Sequence, residues 1–362
     1  MATPQNETSS IFDPQVFNAM VNAFEPNREH VLYSSVRKTT TTYPYAQWSK
    51  KYGRASTLAE YNVPNSKANV IEKEGSAEQG SSALMYIREG QYFTPSVTLF
   101  SRDIDAGDSN AIVPAERLVA DEVKAVNDRI DNRIEWSLWQ ALQGGFTYTG
   151  NATGTVNVDY GFRDTHKATL EAAEMWDSGT ATVDTLIANL RNMKTVIQKD
   201  GGVPVTDVYL SQATFDLLID AWTKSMTDAA NRSLLSDRMI DQYMSEGKID
   251  GFMGISSWKT QSSYYDVRNA DGSVDIFPYV PHGTIIFGNL SANSPLRYEQ
   301  GPSVDFDAPQ GHIGRFAKNW LSKDPSGRQF LVEEHGLPIL DRPDQFATVK
   351  VASDEWAAQQ GL

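Results

Sequence analysis

Residues 114–143 read PAERLVADEVKAVNDRIDNRIEWSLWQALQ, and the rest of the chain is organised around this stretch. Its apolar residues recur at Val119, Val123, Val126, Ile130, Ile134, Leu138 and Leu142. Steps of three and four place them on one stripe of a helix, with Asp121, Lys124, Asp128, Asp131 and Glu135 mostly off it. Pro114 suits a first helical position, and Gly144-Gly145 supplies a stop. At ~1.5 Å per residue the rod is roughly 45 Å long, well beyond an ordinary globular helix. Steps of four dominate, so no left-handed coiled-coil seam is sustained. The stretch reads as a spine helix with Val119, Val123, Val126, Ile130, Ile134 and Leu138 as its core face, backed by a sheet.

Outward from the spine, 362 residues are enough for two or three domains, and 40% apolar content places the chain among globular proteins. There is no cysteine, so neither disulfides nor thiolate metal sites are expected, which suits a cytosolic origin. His30, His166, His282, His312 and His335 are scattered without zinc-ligand spacing. The start, MATPQNETSS, has no basic-apolar signal, and no apolar run approaches ~20 residues, so neither export nor a membrane span is expected. A net charge of −14 argues against a sequence-independent grip on nucleic acid, which requires clustered Lys and Arg.

Upstream, Asp13-Pro14 opens a short amphipathic helix with Val16, Phe17, Met20, Val21 and Phe24, ended by Pro26. Its apolar face has no evident local partner and must dock on something. From Val31 to about Ile112 the chain reads as extended. VLYSSVRKTTTTYPYAQW (31–48) and LMYIREGQYFTPSVTLF (84–100) are strand-like, and EKEGSAEQGSSA (72–83) is a polar joint with no reason to pack. Together they suggest a long two-stranded flap that lies on another molecule. Arg37, Lys38, Lys50, Lys51 and Arg54, with Arg28, make a basic, aromatic-interleaved region in an acidic chain. Docking on an acidic neighbour, such as another copy, is a stronger reading than nucleic-acid binding.

Downstream, Phe146–Tyr160 reads as strands and turns, and His166–Trp176 as a short helix. Helices are expected from Val183 to Ile197, after the cap Ser211, and over 228–246. A buried-looking strand falls at 203–210, and further strands run from Gly251 with a hairpin turn at NADG (269–272). Residues 178–300 thus suggest an α/β unit of their own. Gly311–Val351 returns to strands expected to rejoin the sheet under the spine, and SDEWAAQQGL is a polar tail.

Catalytic signatures are missing: no GxSxG elbow, P-loop or dinucleotide-binding glycine fingerprint occurs. DIDAGDSN (103–110) has the acids of a calcium loop, but Pro114 stands where the bidentate Glu belongs, and Asp108 where Gly belongs. A solvated turn is the stronger reading. Asp164 and His166 fit a helix cap or surface pair better than an acid–base pair, and Trp136 and Trp139 fit core or interface better than a ligand platform. An enzyme reading would use Asp207, Tyr209 and His282 at strand ends of the α/β unit.

The order of elements resembles a known architecture. A terminal arm, a long extended flap, a lone spine helix, an α/β insertion and a return to the first sheet are similar to the major capsid proteins of tailed phages, with the Hong Kong 97-type fold. Within it, NVDYG (157–161), EMWDSGTATVDTLI (174–187) and WLSKDPSGRQFLVEEHGLPILDRPDQFATVKV (320–351) resemble the lambda-type protein E family. The resemblance implies an α+β fold with an N-arm (1–33), an extended loop (34–112), a peripheral domain (113–177 and 301–351), an axial domain (178–300) and a C-terminal tail (352–362). It implies hexamers and pentamers of one chain tiled into an icosahedral shell around double-stranded DNA, in a virion assembled in the host cytoplasm. Separate scaffold, portal and decoration proteins are the partners implied, with no cofactor, catalytic residue, metal or membrane. Intersubunit contacts are expected at Val16, Phe17, Met20, Phe24, Arg37, Lys38, Lys50, Lys51 and Arg54. No Lys/Asn crosslinking pair is matched. The alternatives are an encapsulin-like compartment shell protein and the α/β enzyme, and particle size separates a shell from an enzyme.

Overall fold

The spine forms as a 28-residue α-helix, Ala115–Leu142, with Val119, Val123, Val126, Ile130, Ile134, Leu138 and Leu142 all buried. The computed structural model describes residues 13–24, 30–53, 76–94, 115–150, 154–224, 237–269, 271–290 and 294–360. The chain divides into two compact units, and the division falls inside the spine, after Ser137. One unit holds the described parts of Met1–Ala46, Ser82–Ser137 and Tyr298–Pro338; the other holds those of Gln47–Ser81, Leu138–Arg297 and Ile339–Leu362.

The first unit is built on a five-stranded sheet. Strands β1 (Arg37–Thr40), β14 (Leu296–Gln300), β16 (Ser326–Leu340) and β15 (Phe316–Lys323) lie in that order, and β4 (Met85–Phe93) pairs with β16. The long β16 is antiparallel to β15 from Phe316↔Glu333 to Lys323↔Ser326, and to β4 from Gly336↔Met85 to Arg328↔Phe93. Helix α1 (Pro14–Ala23) starts where the sequence places it, with Asp13 accepting from the backbone N–H of Gln15 and Val16. It packs against β15, its buried Phe17 ring 6.0 Å from Phe330, and Asn18 Oδ1 accepts from Ala317 N at 3.1 Å. The expectation that this apolar face lacks a local partner is therefore corrected: Phe17 and Val21 are buried within their own subunit.

A further expectation fails in this unit. VLYSS is not extended but a one-turn helix, α2 (Val31–Ser35), whose first amides are received by the Glu135 carboxylate. Asp131 and Glu135 are also not solvated. With Asn127 they form a buried polar row on the spine at four-residue spacing, so the helix is enclosed on more than its apolar stripe.

The second unit is built on a six-stranded mixed sheet in the order β7 (Lys167–Thr169), β17 (Ala347–Lys350), β13 (Thr284–Gly288), β8 (Asp207–Leu210), β10 (Ser257–Thr260), β9 (Lys248–Asp250). Pairing is parallel for β7 with β17 and for β8 with β10, and antiparallel elsewhere. Its core joins Val208, Leu210, Trp258, Ile285 and Phe287 to the apolar faces of Val183–Gly201, Gln212–Lys224 and Asp237–Glu246. Thr182 caps the first of these helices, and Gly202, at φ 69°, ends it in the left-handed conformation that glycine adopts without strain. Residues 178–300 do not make this sheet alone, because β7 and β17 come from outside that range. The expected helix at His166–Trp176 is instead a turn and an edge strand: Leu170 N and Trp176 N donate to Lys350 O and Val351 O, and this pairing overrides helical propensity. Of the helix expected over 228–246, the described part is Asp237–Glu246.

The flap is organised differently from the expectation. The polar stretch Ser76–Ala83 is itself a strand, β3, and pairs with β2 (Tyr45–Tyr52), while β4 joins the five-stranded sheet. The reason is visible at Gly80. A Cβ there would fall 2.4 Å from the indole of the buried Trp48, so only glycine lets the two strands close over that ring. Trp48 also meets Tyr160 at 5.7 Å, Tyr52 OH donates to Gly161 O at 2.9 Å, and Gly53 N donates to Asp344 Oδ2 at 2.8 Å. The base of the flap is thereby fixed on the second unit. Hairpins β5–β6 (Gly145–Gly150, Gly154–Asp159) and β11–β12 (Tyr264–Arg268, Val274–Pro278) complete it.

Candidate functional site

Two features stand out in the first unit, a buried charge cluster and an exposed, partly apolar sheet face. In the cluster Arg315 Nη2 reaches Asp131 Oδ1 at 2.5 Å and Glu334 Oε2 at 2.6 Å, and its Nε donates to Glu334 Oε2 at 2.8 Å. Burial raises the Asp131 carboxyl above its ordinary value even though Arg315 pulls it down. Arg315 itself is shifted upward, since its two carboxylate neighbours outweigh desolvation. Beside this cluster the spine holds the N-terminal segment by its backbone. Asn127 Nδ2 donates to Val21 O at 2.9 Å, and Glu135 receives Leu32 N at 3.0 Å and Tyr33 N at 2.7 Å. His30 Nε2 and Asn132 Oδ1 are 2.7 Å apart. These side chains satisfy backbone groups of a segment that has little sheet pairing of its own.

On the other side of β16 the loop between β14 and β15 crosses the sheet. Asp305 receives Lys318 Nζ at 2.7 Å and Arg88 Nη2 at 3.3 Å, and Asp307 receives Lys318 Nζ at 2.8 Å. Burial opposes ionisation of Asp305, but the Lys318 hydrogen bond and the neighbouring cations hold its carboxyl below the usual range. Glu333, beneath, accepts from Tyr86 OH at 2.7 Å and from Ser303 Oγ. Between the two aspartates Phe306 projects fully exposed, with Val304 exposed beside it and Trp320 under Lys318.

The intersubunit candidates differ in exposure. Phe17 is buried in its own subunit, and Val16, Met20 and Phe24 are half-buried. Arg37 and Lys38 are exposed on β1, with Lys38 Nζ 3.9 Å over the Tyr33 ring; Lys51 is exposed and Lys50 half-buried on β2. Arg54 and the acidic loop 103–110 lie outside the described residues.

The enzyme residues are not brought together. Lys259 Nζ takes up both Asp207 Oδ1 (2.9 Å) and Tyr209 OH (3.3 Å), whereas His282 Nδ1 lies 2.9 Å from Ser211 Oγ, beyond the far end of β8. His166 is buried, with Nδ1 2.6 Å from Phe346 O and Nε2 3.2 Å from Asp200. Trp139 packs edge-on to Tyr209 in the core, and Trp136 lies under Arg133. Among the described residues no group of three or more His, Asp and Glu could hold a metal ion, and no helix is long and apolar enough to cross a membrane.

The family model of phage major capsid protein E matches residues 32–351. The chain belongs to that family. In structure the protein is similar to a prophage capsid protein from E. coli CFT073, with a TM-score of 0.65 at 14% identity, covering 93% of this chain and 98% of that one. It is also similar to a phage-related protein of Bordetella bronchiseptica RB50, with a TM-score of 0.51 at 10% identity, covering 93% and 96%. No curated protein matches the chain by sequence. The protein is thus a phage major capsid protein of the Hong Kong 97-type fold, a structural component of the phage head rather than an enzyme, and it assembles with copies of itself.

Sequence reasoning missed the buried row Asn127, Asp131, Glu135 and its partner Arg315. The regular spacing of four was the available signal. It also missed Phe306, which SVDFDAP (303–309) advertises as an aromatic flanked by two acids.

Proposed function

We propose that the chain forms hexamers and pentamers that tile an icosahedral shell around double-stranded DNA, assembled in the host cytoplasm. The observation that carries this reading is that each unit displays large apolar side chains to solvent: Val304, Phe306 and Leu321 in one, Tyr264, Val274, Ile276 and Phe277 in the other. A single apolar patch suits a dimer. Several patches on different parts of one chain suit head-to-tail contacts with several neighbours, which is how rings and closed shells arise. The net charge of −14 supports a container that holds DNA without gripping it. Residues 1–33 serve as N-arm, 34–112 as extended loop, 113–177 with 301–351 as peripheral domain, 178–300 as axial domain and 352–362 as tail. Scaffold, portal and decoration functions fall to separate chains.

Negative-stain imaging and size-exclusion chromatography of the purified chain, alone and with the scaffold chain of its phage, test the proposal. Closed megadalton particles with fivefold and sixfold clusters are expected. A uniform small oligomer in both preparations overturns it.

A further inference from the structure

We infer that Phe306 is an anchor for contact between copies of this chain, presented by a pinned acidic loop to a neighbouring subunit; the inference rests on the assembly reading above. Phe306 lies at the crest of a turn closed by Ala308 N donating to Asp305 O at 3.1 Å, with Asp307 N donating to Asp305 Oδ1 at 2.9 Å. The flanking carboxylates are tied to Lys318, Asp305 is tied also to Arg88, and Ser303 N donates to His312 O at 2.9 Å. With both neighbours tethered to the sheet, the phenyl ring points away from its own subunit, at a relative exposure of 106%. A ring left in water forgoes its hydrophobic contribution to folding, and nothing in the subunit gains from holding it there. The conformational cost of ordering the loop is met on folding, so a partner receives the ring pre-organised. An aromatic centre with exposed Val304 two residues before it and a charged rim has the anatomy of an interface hot spot.

The charge pattern selects the occupant. Asp305 and Glu333 are matched by Lys318 and Arg88, but Asp307, with 70% of its side chain exposed, leaves a negative rim. Nucleic acid or an anionic membrane would meet that rim with like charge. A second copy of this chain offers the exposed cations Arg37 and Lys51, which match that rim in sign.

The test uses the full chain with Phe306→Ser, Phe306→Gln and Phe306→Leu. Since the ring is fully exposed, all three variants are expected to keep wild-type circular dichroism and thermal midpoint. Sedimentation should show the concentration needed for assembly rising roughly tenfold or more for Ser and Gln, and returning most of the way for Leu. Wild type and Phe306→Ser forming particles at the same concentration would overturn the inference and leave the shell reading intact. The inference fails likewise if Phe306→Ser particles form normally and lose only the binding of a separate head protein. A wild-type chain that stops at a small oligomer, dissociated by Phe306→Ser, keeps the contact and sinks the shell. A chain monomeric at every concentration sinks both.

Discussion

At the scale of single residues, Arg315 and Asp305 each bear on how buried carboxylates contribute to stability. Arg315 holds two buried carboxylates, so Arg315→Leu strands Asp131 and Glu334 without their cation. The expected loss is about 3–5 kcal/mol, read from the urea midpoint of the unassembled subunit. Replacing all three together with apolar residues of similar volume is expected to restore most of it, because the penalty lies in the orphaned charges rather than in the missing bridge. Asp305 and Asp131 depend on pH in opposite senses. The lowered Asp305 carboxyl contributes stability that is complete above its unfolded value of about 4, and loses it as pH falls through the lower folded value. The raised Asp131 carboxyl contributes most below the unfolded value and least once pH has risen through the folded one. In Asp305→Asn the decline in stability as pH falls below about 4 should be shallower than in wild type, as measured by thermal melts on the acid side. An unchanged acid limb would show that the Lys318 and Arg88 contacts are not maintained in solution.

At the scale of elements, α1 belongs to the fold as well as to any interface. Deleting residues 1–26 uncovers Phe330 and takes away Val21 O, the acceptor of buried Asn127. Loss of one large buried aromatic contact typically costs about 3–5 kcal/mol, so the truncated subunit should melt lower and aggregate more readily, not merely assemble poorly. A truncated chain with the wild-type melting temperature would show that α1 is not held on the sheet. The β2–β3 pair supports a second expectation. From composition, residues 72–83 look like the first protease site, but Ser76–Ala83 is hydrogen-bonded to β2 and covers Trp48. Limited proteolysis of the free subunit, mapped by mass spectrometry, should spare that strand in early digests, since cleavage requires a locally unfolded stretch. Early cuts between Ser76 and Ala83 would mean the pairing opens readily.

At the scale of the whole molecule, a chain of −14 assembles against its own repulsion. Reversing Lys50, Lys51 and Arg54 to Glu makes the chain more acidic by three charge reversals and is expected to depress assembly at low salt. Added salt should recover it, because screening shortens the range of like-charge repulsion to about 8 Å at physiological ionic strength. Light scattering against salt concentration reads the effect, and a defect that salt leaves unchanged would point to lost packing rather than charge.

The spine helix was fully legible, because a 3.6-residue period of apolar side chains is a local property of the chain. The α1 cap, the helix from Val183 and the NADG hairpin were legible for the same reason: each is set by neighbours within a few residues. The family resemblance was carried by short motifs and the order of these elements. What neighbours in sequence could not specify was which strands pair and which charges are buried. Ser76–Ala83 has no apolar pattern of its own and becomes a strand only because Gly80 accommodates Trp48, more than thirty residues away. Lys167–Thr169 leaves a helix-like stretch for the edge beside Thr348. Asp131 and Glu135 look like the solvated face of an amphipathic helix until Arg315 and the amides of Leu32 and Tyr33 arrive to satisfy them. Periodicity is written in adjacent residues, whereas pairing and the desolvation of charge depend on partners brought from far along the chain, and these only the tertiary structure decided.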